Sequence, residues 1–333
     1  MAKLPRVAVI GTGGTISSIG HDSLDVLNYS DTGKKLEADQ LVARFPECAL
    51  VADVLPIRYS AVPSPAIGPK QWLELLALVH DTAAREPDLA GFVVTHGTAT
   101  LEETAYFLHL TLKIAQPVVL VGAQRPSSAL GTDAGMNLVS ALRVAGDPAA
   151  RGKGVLVCLN DEIQSARDVA KTSTYRLQTF RSPDFGALGH VDGDGVFFYR
   201  APTRRHAPDT EFDVAGLADL PRVDIVFSYA GADAVMVEAA LAAGAKGIVS
   251  AGFAPGMPTV LERAALEAAA ARGVVVVQSS RVGSGRIAPR NYLRSKGKLG
   301  ADSLTPQKAR ILLMLGLTRT QDKAELARMF QEY

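Results

Sequence analysis

The sequence predicts an α/β protein of two domains, each built on a mainly parallel sheet flanked by helices. Three observations carry that expectation. Short apolar runs rich in β-branched residues alternate with helical patterns along most of the 333 residues. The runs are apolar throughout rather than at alternate positions, as in strands covered on both faces. The alternation breaks once, over residues 199–220, where Pro202, Arg204, Arg205, His206 and Pro208 gather ahead of Pro221. This segment reads as a linker between a larger domain, 1–198, and a smaller one, 221–333.

In chain order, strands are expected over 7–10, 92–95, 118–121, 155–159, 225–228, 247–251 and 274–278. A helix is expected over 70–85, where Trp72, Leu73, Leu75, Leu76 and Val79 share one side. Another runs over 101–114, with Thr100 as its cap and Glu102 and Glu103 against the positive end of its dipole. Alanine-rich segments 232–243 and 259–271 read as helices. A last helix, 306–315, opens with Thr305 as cap and Pro306 at the first helical position. The sequence shows no internal repeat and no low-complexity tract.

Composition narrows the function classes. A content of 47% hydrophobic and 21% charged residues supports sizeable cores and excludes a disordered chain. The net charge of +1 gives no electrostatic reason to expect nucleic acid or an anionic membrane as partner. No apolar run approaches the ~20 residues of a membrane span. The first residues lead straight into a strand without the pattern of a secretory signal. Cys48 and Cys158 lie far apart and read as buried thiols of a reducing compartment, so a cytoplasmic protein is expected.

Two glycine–threonine elements follow strands, and parallel sheets bind ligands beyond the carboxyl ends of their strands. The first is Gly11-Thr12-Gly13-Gly14-Thr15-Ile16, the second Thr95-His96-Gly97-Thr98-Ala99-Thr100-Leu101-Glu102-Glu103. Glycines there bring backbone N–H groups and a hydroxyl to one point, a nucleophile beside an oxyanion hole. For Thr15 two readings stand open: a hydroxyl nucleophile, or the capping threonine of a tight turn. The dinucleotide fingerprint fails, because Ile16 occupies its last glycine position. A threonine hydroxyl needs a base. Lys171, in Arg167-Asp168-Val169-Ala170-Lys171-Thr172, serves if its pKa is lowered, and is otherwise a solvated loop lysine. His96 reads as structural. The loop from Gly122 through Ala123, Gln124 and Arg125 to Ser128 follows another strand and offers backbone groups to a ligand, with Arg125 expected to anchor Asp133. Ser64, between Pro63 and Pro65, is either a turn residue or a donor to a carboxylate.

Together these motifs resemble the bacterial-type L-asparaginase/glutaminase family. The likeness covers nearly the whole chain, through Thr-Gly-Gly-Thr-Ile, Thr-His-Gly-Thr, Glu-Glu-Thr-Ala-Tyr-Phe-Leu, Gly-Ala-Gln-Arg-Pro-Ser, Arg-Asp-Val-Ala-Lys-Thr and Pro-Gln-Lys-Ala-Arg. The resemblance implies hydrolysis of a side-chain carboxamide, without metal or organic cofactor. It also implies a homotetramer of close dimers, in which a neighbouring subunit contributes to each site. By resemblance Thr15 is the nucleophile, Tyr29 its activating tyrosine, Thr98 and Lys171 the second threonine and its lysine, and Ser64 the holder of the substrate α-carboxylate. Backbone N–H groups near Gly14 and Gly97 are candidates for the oxyanion.

Three departures from the family pattern fall on the groups that would receive the substrate's ammonium. Pro65 stands where typical members carry a residue such as glutamine. The family's Thr-Asp pair reads Thr98-Ala99. After Val282, where many secreted members supply a glutamate, the chain reads Gly283-Ser284-Gly285-Arg286-Ile287-Ala288-Pro289-Arg290-Asn291. L-Asparagine is the family default, whereas these positions point to an amide lacking the α-ammonium, with Arg286, Arg290 or Asn291 at the vacated place. The bland reading of the arginines is a solvated basic loop. Ala99 admits two others: an engineered Asp→Ala change, or a site that has lost catalysis. A non-catalytic sensor on the same fold is the alternative function, and a nicotinamide-dependent dehydrogenase a more distant one.

Overall fold

A computed structural model describes residues 3–333, so Met1 and Ala2 of the opening segment lie outside the described residues. The chain divides into two units, Met1–Thr210 and Glu211–Tyr333. The division falls inside the segment 199–220, whose first part is bonded to the larger unit. The Ala207 N–H donates to the His109 carbonyl (2.8 Å), and the Thr210 hydroxyl to that of Leu110 (2.6 Å).

Among its described residues the first unit holds ten strands: β1 (Arg6–Gly13), β2 (Asp53–Val62), β3 (Gly91–Thr95), β4 (Val118–Val121), β5 (Val155–Leu159), β6 (Glu162–Ser165), β7 (Ala170–Lys171), β8 (Phe180–Arg181), β9 (Gly189–Asp192) and β10 (Gly195–Phe198). Eight form one sheet in the order β10-β9-β6-β5-β4-β3-β1-β2, and β7 pairs with β8 apart from it. From β2 to β5 every pairing is parallel; β5–β6, β6–β9 and β9–β10 are antiparallel. Every residue of β3, β4 and β5 is buried, as their uniform apolar runs require. β2 breaks that pattern with Pro56 and Arg58, and it lies at the sheet's edge, where proline's missing donor is tolerated.

Four helices accompany this sheet: α1 (Ala38–Arg44), α2 (Pro69–Arg85), α3 (Leu101–Thr111) and α4 (Ala134–Gly146). α2 buries Trp72, Leu75, Leu76 and Val79, the stripe its periodicity predicts. α3 ends at Thr111 rather than 114, because Leu112 turns to an extended conformation. Thr100 precedes α3 without capping it. Its hydroxyl donates to the Ser64 carbonyl (2.9 Å) and so holds another loop.

The second unit is a fully parallel four-stranded sheet, β11 (Val223–Phe227), β12 (Gly247–Gly252), β13 (Val275–Ser280) and β14 (Leu299–Gly300), in that order. Its helices are α5 (Val235–Ala242), α6 (Val260–Ala271), α7 (Asn291–Ser295), α8 (Pro306–Leu317) and α9 (Lys323–Glu332). Val226, Val237, Ile248, Leu266 and Val276 form its own core. α6 opens with a reciprocal cap: Glu262 N–H donates to the Thr259 hydroxyl (3.2 Å), and Thr259 N–H to the Glu262 carboxylate (2.9 Å). Thr305 makes no such bond, although Pro306 takes the first helical position as expected.

Both cysteines are free and buried. Burial pushes the Cys48 thiol up to about 11 and that of Cys158 well above its ordinary range, so neither carries thiolate at neutral pH. Among the described residues no helix is long and apolar enough to cross a membrane.

Candidate active site

β1 and β3 are adjacent and parallel, so their carboxyl ends, and the glycine–threonine elements that follow, come out side by side. The Thr12 hydroxyl ties them, donating to the Thr95 carbonyl at 2.8 Å. Gly14 has a φ of +82°, and a Cβ there would overlap the backbone of Gly97. The site's floor is therefore main chain against main chain, which only glycine permits.

Above this floor lies a cavity of about 260 Å³. Gly14, Thr15, Tyr29, Ser64, Pro65, Gly97, Thr98, Ala99 and Lys171 line it, together with Ser18, Ser30, Lys35 and Pro63. Residues far apart in sequence thus meet at one opening. Ala123 does not join them: it is fully buried at the end of β4. Arg286 and Asn291 belong to the second unit. There the Arg286 guanidinium pairs with Asp302 (2.6 Å), and Asn291 opens α7.

Two hydroxyl pairs face the cavity. Thr15 Oγ1 and the Tyr29 phenol stand 2.8 Å apart. Tyr29 arrives on the loop 20–34, held at its base by the antiparallel bridge between Ser18 and Lys35 and by Thr32, whose hydroxyl donates to the Ile19 carbonyl (2.6 Å). In the second pair Lys171 Nζ donates to Thr98 Oγ1 at 2.7 Å. Lys171 comes from β7, and its backbone N–H donates to the Glu102 carboxylate (2.9 Å) on the first turn of α3. Burial lowers the Lys171 pKa and Glu102 partly opposes that shift. The net effect enlarges the neutral-amine fraction, which a general base requires.

Ser64 is buried beside Gly97, where a Cβ would stand 2.7 Å from its Oγ. Its hydroxyl finds no hydrogen-bond partner among the described residues and is free for a ligand oxygen. The Gly14 N–H is not free, since it donates to the Val62 carbonyl (3.1 Å). The N–H groups of Thr15 and Gly97 remain without acceptor among the described residues, and the oxyanion expectation moves to them.

His96 is buried and turned away from the cavity. Its Nδ1–H donates to the Gly97 carbonyl (2.8 Å), and its Nε2 accepts from the Thr104 hydroxyl (2.9 Å), which accepts from the Trp72 indole (2.9 Å). Burial brings His96 down to about 4, so the imidazole is neutral. Asp133 is anchored differently from expectation. It accepts the backbone N–H groups of Gln124 (2.9 Å) and Arg125 (3.0 Å), while the Arg125 guanidinium bonds the Gly131 carbonyl (2.7 Å).

Two lining or neighbouring residues escaped the sequence reading. Lys35 lines the cavity and has no ion pair among the described residues. Gln124 offers its side-chain oxygen to both Lys171 (3.3 Å) and Thr98 (3.2 Å). Lys35 and Lys171 are the charged residues of the lining; among the described residues no carboxylate lines it.

Comparison with known proteins gives the family. Residues 6–204 match the model of the asparaginase N-terminal domain, and residues 222–330 that of the glutaminase/asparaginase C-terminal domain. The chain belongs to the asparaginase/glutaminase family. It is 42% identical to L-asparaginase 2 of Bacillus subtilis (strain 168), over 99% of this chain and 87% of that one. It is 41% identical to the glutaminase-asparaginase of Pseudomonas fluorescens biotype A, over 99% and 91%. A crystal structure of a probable cytoplasmic L-asparaginase from Campylobacter jejuni superposes with a TM-score of 0.94 at 38% identity, covering 99% of this chain and all of that one. The asparaginase-family chain described here is accordingly an amidohydrolase acting on amide C–N bonds.

Proposed function

We propose that this family member hydrolyses the terminal amide of a dicarboxylic acid monoamide that lacks an α-ammonium, of the succinamate type. The observation that carries the reading is the lining of the cavity: Lys35 is present and, among its described lining residues, no carboxylate. An α-ammonium there would lose a charge-assisted hydrogen bond worth about 1.5–3 kcal/mol and would face Lys35. Ala99 presents a methyl group and Pro65 neither N–H nor polar side chain, so neither replaces the missing acceptor. A substrate carboxylate, by contrast, meets the free Ser64 hydroxyl and the Lys35 ammonium.

In this reading the Thr15 oxygen attacks the amide carbon, its proton passing to the Tyr29 phenol oxygen as that phenol gives its own proton to the leaving amide nitrogen. The N–H groups of Thr15 and Gly97 stabilise the oxyanion. The C–N bond breaks, ammonia leaves with a proton, and an acyl-threonine remains. Water, activated at the Thr98–Lys171 pair, attacks that ester, releases the dicarboxylate and restores the Thr15 hydroxyl. The relatives named for L-asparagine support the chemistry, and the cavity supports the change of substrate. A cytoplasmic location is supported by the two free thiols, a homotetramer by family resemblance. The same resemblance supports a role for a neighbouring subunit's Arg286 or Asn291.

An ammonia-release assay tests the substrate. Succinamate is expected to exceed L-asparagine in kcat/KM by at least about tenfold, the equivalent of one lost charged contact. Ala99→Asp is expected to reverse that order, and Lys35→Gln to raise KM for succinamate. A parent protein that prefers L-asparagine, unchanged by Ala99→Asp, sinks the proposal.

A further inference from the structure

The described lining of the cavity gives the Lys171 amine no carboxylate, yet its side chain is firmly held. Nζ lies 2.7 Å from Thr98 Oγ1 and 3.3 Å from Gln124 Oε1, and Thr98 Oγ1 donates to that same amide oxygen at 3.2 Å. One oxygen thus closes a triangle with the amine and the hydroxyl. Its orientation is fixed at the far end, where Gln124 Nε2 donates to the Arg176 carbonyl (3.1 Å). An amide rotated by half a turn would set oxygen against oxygen there. The main chain is fixed too, through the Gln124 N–H on Asp133, which also accepts from the Asn137 side chain (3.0 Å).

We infer that Gln124 is a positioning residue of this site: its amide oxygen orients Lys171 and Thr98 with a neutral acceptor in place of a carboxylate. The inference rests on the amidase reading above. As a neutral amine, Lys171 gives one N–H to Gln124 Oε1 and turns its lone pair toward Thr98 Oγ1. When that hydroxyl, or a water bonded to it, loses its proton, the proton goes to Nζ, and the ammonium keeps its bond to Gln124. A carboxylate in the same place would orient the lysine equally well but would favour its charged form. An amide orients without that electrostatic cost to the base.

The charged surroundings of Lys171 leave room for this role. Glu102, from α3, accepts its backbone N–H, and Lys35 and the Tyr29 phenol line the same cavity. On its own segment Asp168 is paired with Arg167 (3.0 Å), and on β8 Arg181 follows Phe180, the residue opposite Lys171. Arg176 and Asp133 reach the network through Gln124. Glu102 is thus the carboxylate whose charge raises the lysine, and burial outweighs it.

The test is a titration of Lys171 followed by the NMR shift of its ε-carbon in the full-length protein, which needs no substrate. Gln124→Glu, of nearly the same shape, is expected to raise the Lys171 pKa by about one pH unit or more. The rising limb of the kcat/KM profile should move up with it. Gln124→Leu is expected to lower kcat on the order of tenfold, with KM changed less than about threefold. An unmoved Lys171 titration in Gln124→Glu, or a parental kcat in Gln124→Leu, overturns the assignment. A wrong substrate reading would show separately, as poor succinamate turnover with the titration arm still giving its result.

Discussion

Thr15 and Thr98 are the same side chain in two different surroundings, and the partners decide their tasks. Thr15 meets a phenol at 2.8 Å, whereas Thr98 meets an amine at 2.7 Å whose charged form burial disfavours. A nucleophile and a water-activating hydroxyl are the roles those partners suit. Thr15→Ala is therefore expected to reduce ammonia release to background while succinamate binding, read by calorimetry, survives. Retained turnover would reassign the nucleophile. Thr15, Tyr29, Thr98 and Lys171 were legible in the sequence because short motifs fix them relative to strand ends or a recognisable loop. Lys35 was not legible: it reaches the cavity through a bridge to Ser18 that closes a long loop, and no periodicity announces such a closure. Gln124 stood in a visible motif, but the direction of its side chain depends on Arg176, more than fifty residues later.

Between elements, the contact of greatest consequence runs from α2 through α3 to the loop after β3. The Trp72 indole donates to Thr104, Thr104 to His96, and His96 to the Gly97 carbonyl at the floor of the site. The chain works only with a neutral imidazole, because Nε2 must accept. His96 sits near 4 in the folded protein against an ordinary 6.5, so as pH falls the unfolded chain takes up the proton first. Folding stability is then fully present above about 6.5 and falls toward pH 4, on the order of 3 kcal/mol from this residue alone. Chemical denaturation at stepped pH checks it. His96→Gln should remove that part of the slope, and an unchanged slope would refute the coupling. Uniformly buried β3, β4 and β5 could be read from composition because both faces select apolar residues. β2, carrying Pro56 and Arg58, could not, since an edge strand has only partners on one side to satisfy. α4 and α9 were missed as well. Glycines 135 and 146 blur the pattern of α4, and α9 alternates charge with few apolar positions.

At the scale of the whole chain, each unit has its own mainly parallel sheet and its own core, and the side chains proposed to be catalytic all come from the first. A second unit with no part in binding would be a large appendage, and the proposed homotetramer gives it one. Sedimentation is expected to show four times the 35.1 kDa of one chain. Neither Thr15→Ala nor Asn291→Ala chains should work fully alone, but mixing and reassembling them should recover activity if a neighbour completes each site. Recovery no better than the sum of the two variants would mean that each chain's site is self-sufficient. The two-domain plan was readable in advance because proline and charge interrupt the alternation once, although residues 206–210 bond to the larger unit in a way composition does not reveal. The glycine floor has one more consequence, for anyone wishing to alter this enzyme. Where Gly14 meets Gly97 no side chain can be introduced, so the reactive geometry is closed to variation. The rim at Lys35, Pro65 and Ala99 is open to it. New substrates are therefore best sought in small libraries at those three positions, with the strand ends left untouched.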